Sequence, residues 1–524
     1  MLAGGLWFVL ARRQRATASD LEAAWHALER HATRAIGVVA LTAAMLASVF
    51  ATRSAAGADA SGYLSQAAHW ARLQEPVHFE FLAEDFRDVL DGWIMTPLGW
   101  RPWALPGAID HLPGIQVPTY APGLPLLMAV PLAIGGIDGA NAVIVASAAI
   151  ATWATGMLAG GVAGIMAATF LAFAPVFLYQ ATQPMSDVPV TAAWMLCFLL
   201  LAHDRRSVWA GLACAIAIMI RPNLAPLAIV PLFVVRSRRW FAIPVTGAGI
   251  FLAVIQMFWY GSPLRSGYGT AGELFSMANI LSNAGRYASW LVATSPVLFF
   301  APLGFARLRR ESKAWPLMAF ALLVIGSYLI YGVFDHWSYL RFLLPALAAF
   351  AVFAAIELVA WITRWPVPIR LPLFFTLTLA IVAYGLFVAR SFETFRLKDQ
   401  LRRVDQVAAA INRTAPREAI IIAGEQSGAM RYYTDRSILR WEAATPETLP
   451  KAVEVLLKAG RPIYIVLDAW EVEPFQKKFP DLGPAELDWP PMLEAGSSHR
   501  TRAWNLADRL RYQLGQRVNT VRIP

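Results

Sequence analysis

The chain has 524 residues, of which 57% are hydrophobic and only 15% charged, with 20 Trp and 29 Phe. A soluble globular chain is roughly 45–50% apolar and about 25% charged, so a soluble enzyme with one large core is excluded and a polytopic membrane protein is implied. The net charge of +10 does not argue for a nucleic-acid partner, because the arginines cluster in short blocks between apolar runs, where they act as topology signals. Cys197 and Cys214 both lie inside apolar runs, and neither a disulfide framework nor a thiolate metal site follows from them.

The opening MLAGGLWFVLARRQR places an apolar run before its arginines, the reverse of a signal peptide, and reads as an interfacial segment or a poorly chosen start. A helix needs roughly 20 apolar residues to cross a bilayer. Arg12, Arg13, Arg15, Arg30 and Arg34 place segment 1–34 in the cytoplasm, so a first crossing at 35–53 runs outward. The polar, acidic, Trp-rich stretch from 57 to 120 then lies outside. In it Asp59, in ADASGYLSQAAHWARL, stands at the mouth of the first crossing, where an acid is costly to place. The run Tyr120–Gly136, with prolines at 122, 125 and 131, reads as a bent or re-entrant piece of the same outer loop, 57–138. From Gly139 to Ser186 no residue is charged, which allows two crossings turning at Gly160-Gly161 and emerging outside at Gln183-Pro184-Met185-Ser186-Asp187.

Further crossings are expected at 188–202 and on either side of Arg221-Pro222-Asn223. Another precedes the outer loop YGSPLRSGYG at 260–269, and others follow at 288–306, 314–331, from Arg341 back to Arg364, and at 371–389. The total is about eleven crossings, with the arginine clusters inside and the motifs mixing acids, Gly, Pro and aromatics outside. The fold class expected is therefore an α-helical polytopic membrane protein, with a transmembrane domain at 35–390, in an inner (plasma) membrane. Residues 391–524 differ. A predicted amphipathic helix at 399–414, β-branched runs at Ala419–Ala423 and Ile463–Leu467, and a predicted helix at 446–459 suggest an extracytoplasmic α/β domain. The post-strand loop Gly424-Glu425-Gln426-Ser427-Gly428 alone is a weak phosphate-binding signal.

The outward motifs carry the candidate chemistry: Asp59 with Tyr63, Tyr120-Ala-Pro-Gly, Ser186-Asp187, Arg221-Pro-Asn, Arg265, and Asp335-His336 with Arg341. Arginines can hold an anionic headgroup there, and an aspartate can deprotonate a hydroxyl. Each residue also has a plainer reading. Asp59 and Asp187 are placed as helix N-caps would be. Arg341 can snorkel to phospholipid. His336 is a metal ligand or a surface residue. The acids Glu84, Asp85, Asp88 and Asp91 read as a solvated helix face.

Asp59 plus Tyr63 after the first crossing, YAPGLP, QPMSDVP and LRFLLP follow an order that resembles bacterial polyprenyl-phosphate-dependent glycosyltransferases of the GT-C fold, of the protein O-mannosyltransferase and aminoarabinose-transferase type. The resemblance covers residues 35–390. It implies that Asp59 is the base acting on the acceptor. It places Asp187, with Tyr63, near the acceptor and a divalent metal ion, for which Asp187 and His336 are the candidate ligands. It assigns the donor phosphate to Arg341, Arg265, Arg221 and Tyr120. This chain has Ala60 where many relatives carry a second acid, and Tyr120 where many carry a lysine.

The reaction implied is single-displacement, inverting transfer from a polyprenyl-phosphate sugar to a hydroxyl on a lipid, glycan or protein at the extracytoplasmic face of the bilayer. Phosphate leaves readily as an anion, so one acid suffices. A hydrolase working through paired carboxylates needs two. The rivals are a transporter or flippase of an anionic lipid, which would place charge at the bilayer midplane and show repeats, and a non-catalytic scaffold.

Overall fold

The structure, a computed structural model, describes residues 18–80, 82, 86, 91–104, 111–202, 207–311, 314–497 and 499–523. The opening apolar run with Arg12, Arg13 and Arg15, the acids Glu84, Asp85 and Asp88, and residues 203–206 lie outside the described residues.

Among the described residues, five helices are long and apolar enough to cross a membrane: Ala32–Val49, Gly123–Ala159, Arg238–Tyr260, Trp337–Ile362 and Val367–Ser391. Two bent pairs raise the number to 7 if each is one span: Gly161–Ala172 with Pro175–Ala181, bent by 64°, and Met277–Thr294 with Pro296–Leu308, bent by 109°. Four shorter apolar helices complete the set. The 15-residue helix Asp187–Leu201 is about 22 Å long at 1.5 Å per residue, less than the hydrocarbon thickness of about 30 Å.

Two local expectations change. The straight crossing at 288–306 is instead the sharply bent pair. Ser295 precedes a proline, which disfavours helical backbone, and it adopts φ −149°, ψ 54°. The run from Tyr120 to Gly136 is not broken at its prolines. It is helical from Gly123, because Pro125 sits in the first turn, where a missing N–H costs nothing. The break falls at Gly135-Gly136, and Gly136 has φ 58°.

The chain packs as two compact units, a grouping that cuts across the linear scheme of 1–34, 35–390 and 391–524. The first unit comprises Met1–Val49, Ala142–Gly249 and Gly272–Phe395. It is a helical core in which Trp194 and Phe198 pack on Phe320, with ring centroids 4.8 and 5.0 Å apart. The turn at Gly160-Gly161 forms with φ of 67° and 53°. Past that turn Gly156 and Gly164 bring two helices together: a Cβ on Gly156 would stand 2.9 Å from the Gly164 carbonyl oxygen and 2.7 Å from Ile36 Cγ2.

The second unit comprises Phe50–Asn141, Ile250–Ala271 and Arg396–Pro524. It holds the helix Gly57–Ala71, here the Asp59 helix, and an antiparallel sheet of β1 (His78–Phe79), β2 (Trp100–Ala104) and β3 (His111–Pro118) in the order β1-β3-β2. Its larger sheet has β4 (Ile420–Ala423), β5 (Ser437–Arg440), β6 (Ile463–Asp468), β7 (Leu493–Ala495), β8 (Thr501–Asn505) and β9 (Val521–Ile523) in the order β5-β4-β6-β8-β7-β9. Successive strand residues face opposite sides. Ile420 and Ile422 therefore join one apolar layer with Leu449, Leu456 and Phe475, and Ile421 and Ala423 join another with Val404, Ile411 and Met430. Ile94 and Met95 of the first long loop enter the former layer, and the Ile94 carbonyl accepts from the Arg440 N–H at 2.7 Å beside β5.

Candidate active site

The Asp59 helix starts without a side-chain cap. Its N-cap is Ala56, in extended conformation, and Asp59 lies in the first turn, so Asp59 is not the cap. A carboxylate there is favoured by the helix dipole. The N–H of Gly57, one of the donors a helix start leaves unpaired, is met by Gln426 Oε1 at 3.3 Å. Gly57 has φ 75°, which glycine alone adopts freely.

Tyr63 lies one turn after Asp59 and is buried. Its ring is 4.6 Å from that of Tyr120, which in turn stands edge-on to Tyr268 at 5.8 Å. Tyr120 rests on Gly62: a Cβ added there would meet the Tyr120 ring at 2.5 Å and Gly99 Cα at 2.9 Å. The Tyr120 hydroxyl hydrogen-bonds to Asp59. Burial first, and then the Asp59 charge, raise its pKa well above the usual tyrosine value, so it stays a donor. Tyr120, expected among the phosphate contacts, is thus tied to the candidate base. Asp59 itself is half-exposed.

The loop carrying Arg265 and Tyr268 is fixed by Arg101, whose guanidinium donates to the carbonyls of Ser266 and Gly267, both at 3.0 Å. Arg101 also lies over the rings of Trp93 and Tyr260. Arg265 is half-buried, and among the described residues its Nε is buried without a hydrogen-bond partner. No sequence signal marks Arg101, since its role depends on a loop 165 positions away.

The first unit holds the other candidates. Asp187 is in the first turn of its helix, after the N-cap Ser186, and is 1% exposed. One carboxylate oxygen accepts from the Arg221 guanidinium. Arg221 also donates to Ser186 Oγ and to the Tyr328 hydroxyl, each at 3.3 Å, and Asn223 donates to the same hydroxyl at 3.0 Å. The Phe342 ring stacks on Tyr328 at 5.0 Å, and the guanidinium groups of Arg221 and Arg341 stand 5.5 and 5.4 Å from its centre. Asp335 pairs with Arg286 at the surface. His336 is exposed and caps the 3-10 turn Trp337–Leu343, its Nδ1 2.8 Å from Ser338 Oγ. Burial lowers its pKa.

Both metal candidates are engaged within the fold, although one carboxylate oxygen of Asp187 is buried without a hydrogen-bond partner among the described residues. Asp187 is already neutralised by Arg221, and His336 spends Nδ1 on its cap. Among the described residues no group of three or more His, Cys, Asp or Glu gathers in ligand range.

No family model and no curated protein sequence matches the chain. Solved structures do. ArnT from Cupriavidus metallidurans, bound to undecaprenyl phosphate, superposes with a TM-score of 0.53 at 12% identity, over 89% of this chain and 97% of that one. The Archaeoglobus fulgidus oligosaccharyltransferase tethered with an acceptor peptide superposes with a TM-score of 0.50 at 13% identity, over 94% of this chain and 75% of that one. The chain has the GT-C fold. The order of motifs pointed to that fold, and at these identities the likeness is one of fold.

Proposed function

We propose that the chain transfers a glycosyl group from a polyprenyl-phosphate sugar to an acceptor hydroxyl at the extracytoplasmic face of a bacterial inner membrane. The observation that carries this reading is the state of Asp59. It is half-exposed at a helix start, braced by the Tyr120 hydroxyl, in a chain whose fold is that of a protein bound to undecaprenyl phosphate. Asp59 takes the acceptor's hydroxyl proton as the new glycosidic bond forms. The bond from the sugar to phosphate breaks, and its electron pair leaves on the phosphate. In the unit that carries Asp59, Arg265 meets that charge, since its buried Nε has no partner among the described residues. Arg341 and Arg221 are the phosphate-binding candidates of the other unit. Residues 1–34 are cytoplasmic on this reading and 391–524 extracytoplasmic.

The test uses membranes containing the full chain and labelled undecaprenyl-phosphate sugars. Asp59→Asn should lower transfer by roughly 10²–10⁴-fold, the usual contribution of a positioned base. Undiminished transfer removes Asp59 from that role. A reporter fused after Phe395 should read as extracytoplasmic, and a cytoplasmic reading reverses the orientation.

A further inference from the structure

In the larger sheet, β4 is flanked by β5 and β6, and the three strands are parallel. The chain leaves β4 for β5 on one side, then returns to β6 on the other. In open α/β sheets, the crevice outside the carboxyl ends of the strands at such a reversal is where ligands bind. Here that crevice is built by Gly424–Gln426 after β4 and Asp468–Glu471 after β6. The Gln426 amide donates to Asp468 at 2.8 Å, and the Glu425 N–H donates to Glu471 at 3.0 Å. Glu471 also accepts from the Asp468 N–H at 2.8 Å and the Trp441 indole at 3.2 Å. The backbone of Glu425 is thus fixed, while no hydrogen bond engages its carboxyl group among the described residues.

The crevice holds the start of the Asp59 helix. Gln426 accepts from the Gly57 N–H, and Glu425 Oε1 lies 3.4 Å from where a Cβ on Gly57 would stand. We infer that Glu425 is a second carboxyl group of the Asp59 site and carries the proton from Asp59 to water. The inference rests on Asp59 being the base. After transfer the proton taken from the acceptor hydroxyl is on Asp59. It passes to the Glu425 carboxylate, which restores the Asp59 carboxylate, and then to solvent.

The groups that act on Glu425 are Glu442, Asp468 and Asp59, with Arg403 opposing them and Glu471 held against its backbone N–H. Burial, and then the three acids, push its pKa up to about 7. Both protonation states are then populated near neutrality, as a proton carrier requires.

The experiment uses the full chain in nanodiscs. Infrared difference spectra across pH should show a protonated-carboxyl band titrating near pH 7 in the wild type. One part of the band should be lost in Glu425→Gln and the other in Glu471→Gln, because burial also pushes Glu471 up to about 7. In membranes with labelled undecaprenyl-phosphate sugar, Glu425→Gln should lower kcat at least about 10-fold with KM unchanged and abolish the limb of the pH profile near 7, and Glu425→Asp should restore most of the rate. Glu425→Gln with wild-type turnover and profile, or with the band undiminished, overturns the inference. If Asp59→Asn still transfers, the reading of Asp59 as base has failed instead, and the proton route fails with it.

Discussion

Asp59 and Asp187 occupy equivalent local positions: each is an acid in the first turn of a helix. Their surroundings differ. Asp187 is 1% exposed and meets a guanidinium that is itself held by Ser186 and Tyr328. Asp59 is half-exposed and meets a tyrosine hydroxyl. The helix start stabilises both charges, and Arg221 neutralises Asp187 inside the fold. The same residue type at the same helical position is thus buried on a guanidinium in one unit and half-exposed beside a tyrosine hydroxyl in the other.

The largest effects separate the two acids. Asp59→Asn should abolish most transfer and leave thermal stability within about 0.5 kcal/mol, because a half-exposed acid is replaced by an isostere. Asp187→Ala should do the reverse. It leaves Arg221 buried without its counter-charge, which costs about 3–5 kcal/mol. The double replacement Asp187→Leu with Arg221→Met should recover much of that loss, since apolar residues of similar volume often replace a buried pair at little cost. Thermal unfolding in detergent measures both. A stable Asp187→Ala chain that no longer transfers would show that Asp187 acts in the chemistry, and the contrast would collapse.

A smaller effect tests how Asp59 is braced. Gly62→Ala drives a methyl group into the Tyr120 ring and the backbone of Gly99, whose φ of 89° already holds the two glycines in close approach. Overpacking of this kind costs about 1–3 kcal/mol. Transfer should fall with it, because the displaced ring carries the hydroxyl that bonds to Asp59. Gly247→Ala, where nothing lies within 4 Å, is the matched control and should be close to neutral. Equal losses in the two variants would dissociate the Tyr120 contact from activity.

These contrasts also show what the sequence carried. Strands β4 and β6 form where short β-branched runs are bounded by turn residues, and the helix Leu397–Thr414 forms where the amphipathic pattern ran. Asp59 and Tyr63 share a helix face by their spacing alone. The break at Ser295-Pro296 was legible in principle, through the proline. The partners of the site residues were not legible. Gln426 meets Gly57 across 369 positions, and Arg221 meets Asp187 across 34. Periodicity reports which face a residue occupies within its own element, and nothing in it names the element that packs there. For this reason Glu425 read as part of a weak phosphate loop, when its surroundings are mainly acidic.

The weakest expected effect concerns a contact inside the Asp59 unit. His78 of β1 lies against the Arg431 guanidinium, with Glu80 and Asp435 also near that arginine. An arginine has only donors, so the facing ring nitrogen must accept and the ring is neutral. Burial first, and the Arg431 charge with it, lower the His78 pKa below 6.5, against the pull of Glu80 and Asp435. The unfolded chain then binds more protons than the folded one as pH falls. The stability this provides is present above the unfolded value of 6.5 and is lost as pH drops through the lower folded value. The slope in that window is at most about 1.4 kcal/mol per pH unit for one group. His69, whose pKa burial also lowers, adds to the same slope. Thermal unfolding measured from about pH 7.5 to 5 should therefore show a shallower acid loss in His78→Asn than in the wild type. Parallel curves would mean that His78 is already charged in the fold, and the Arg431 contact would have to be an anion-bridged pair instead.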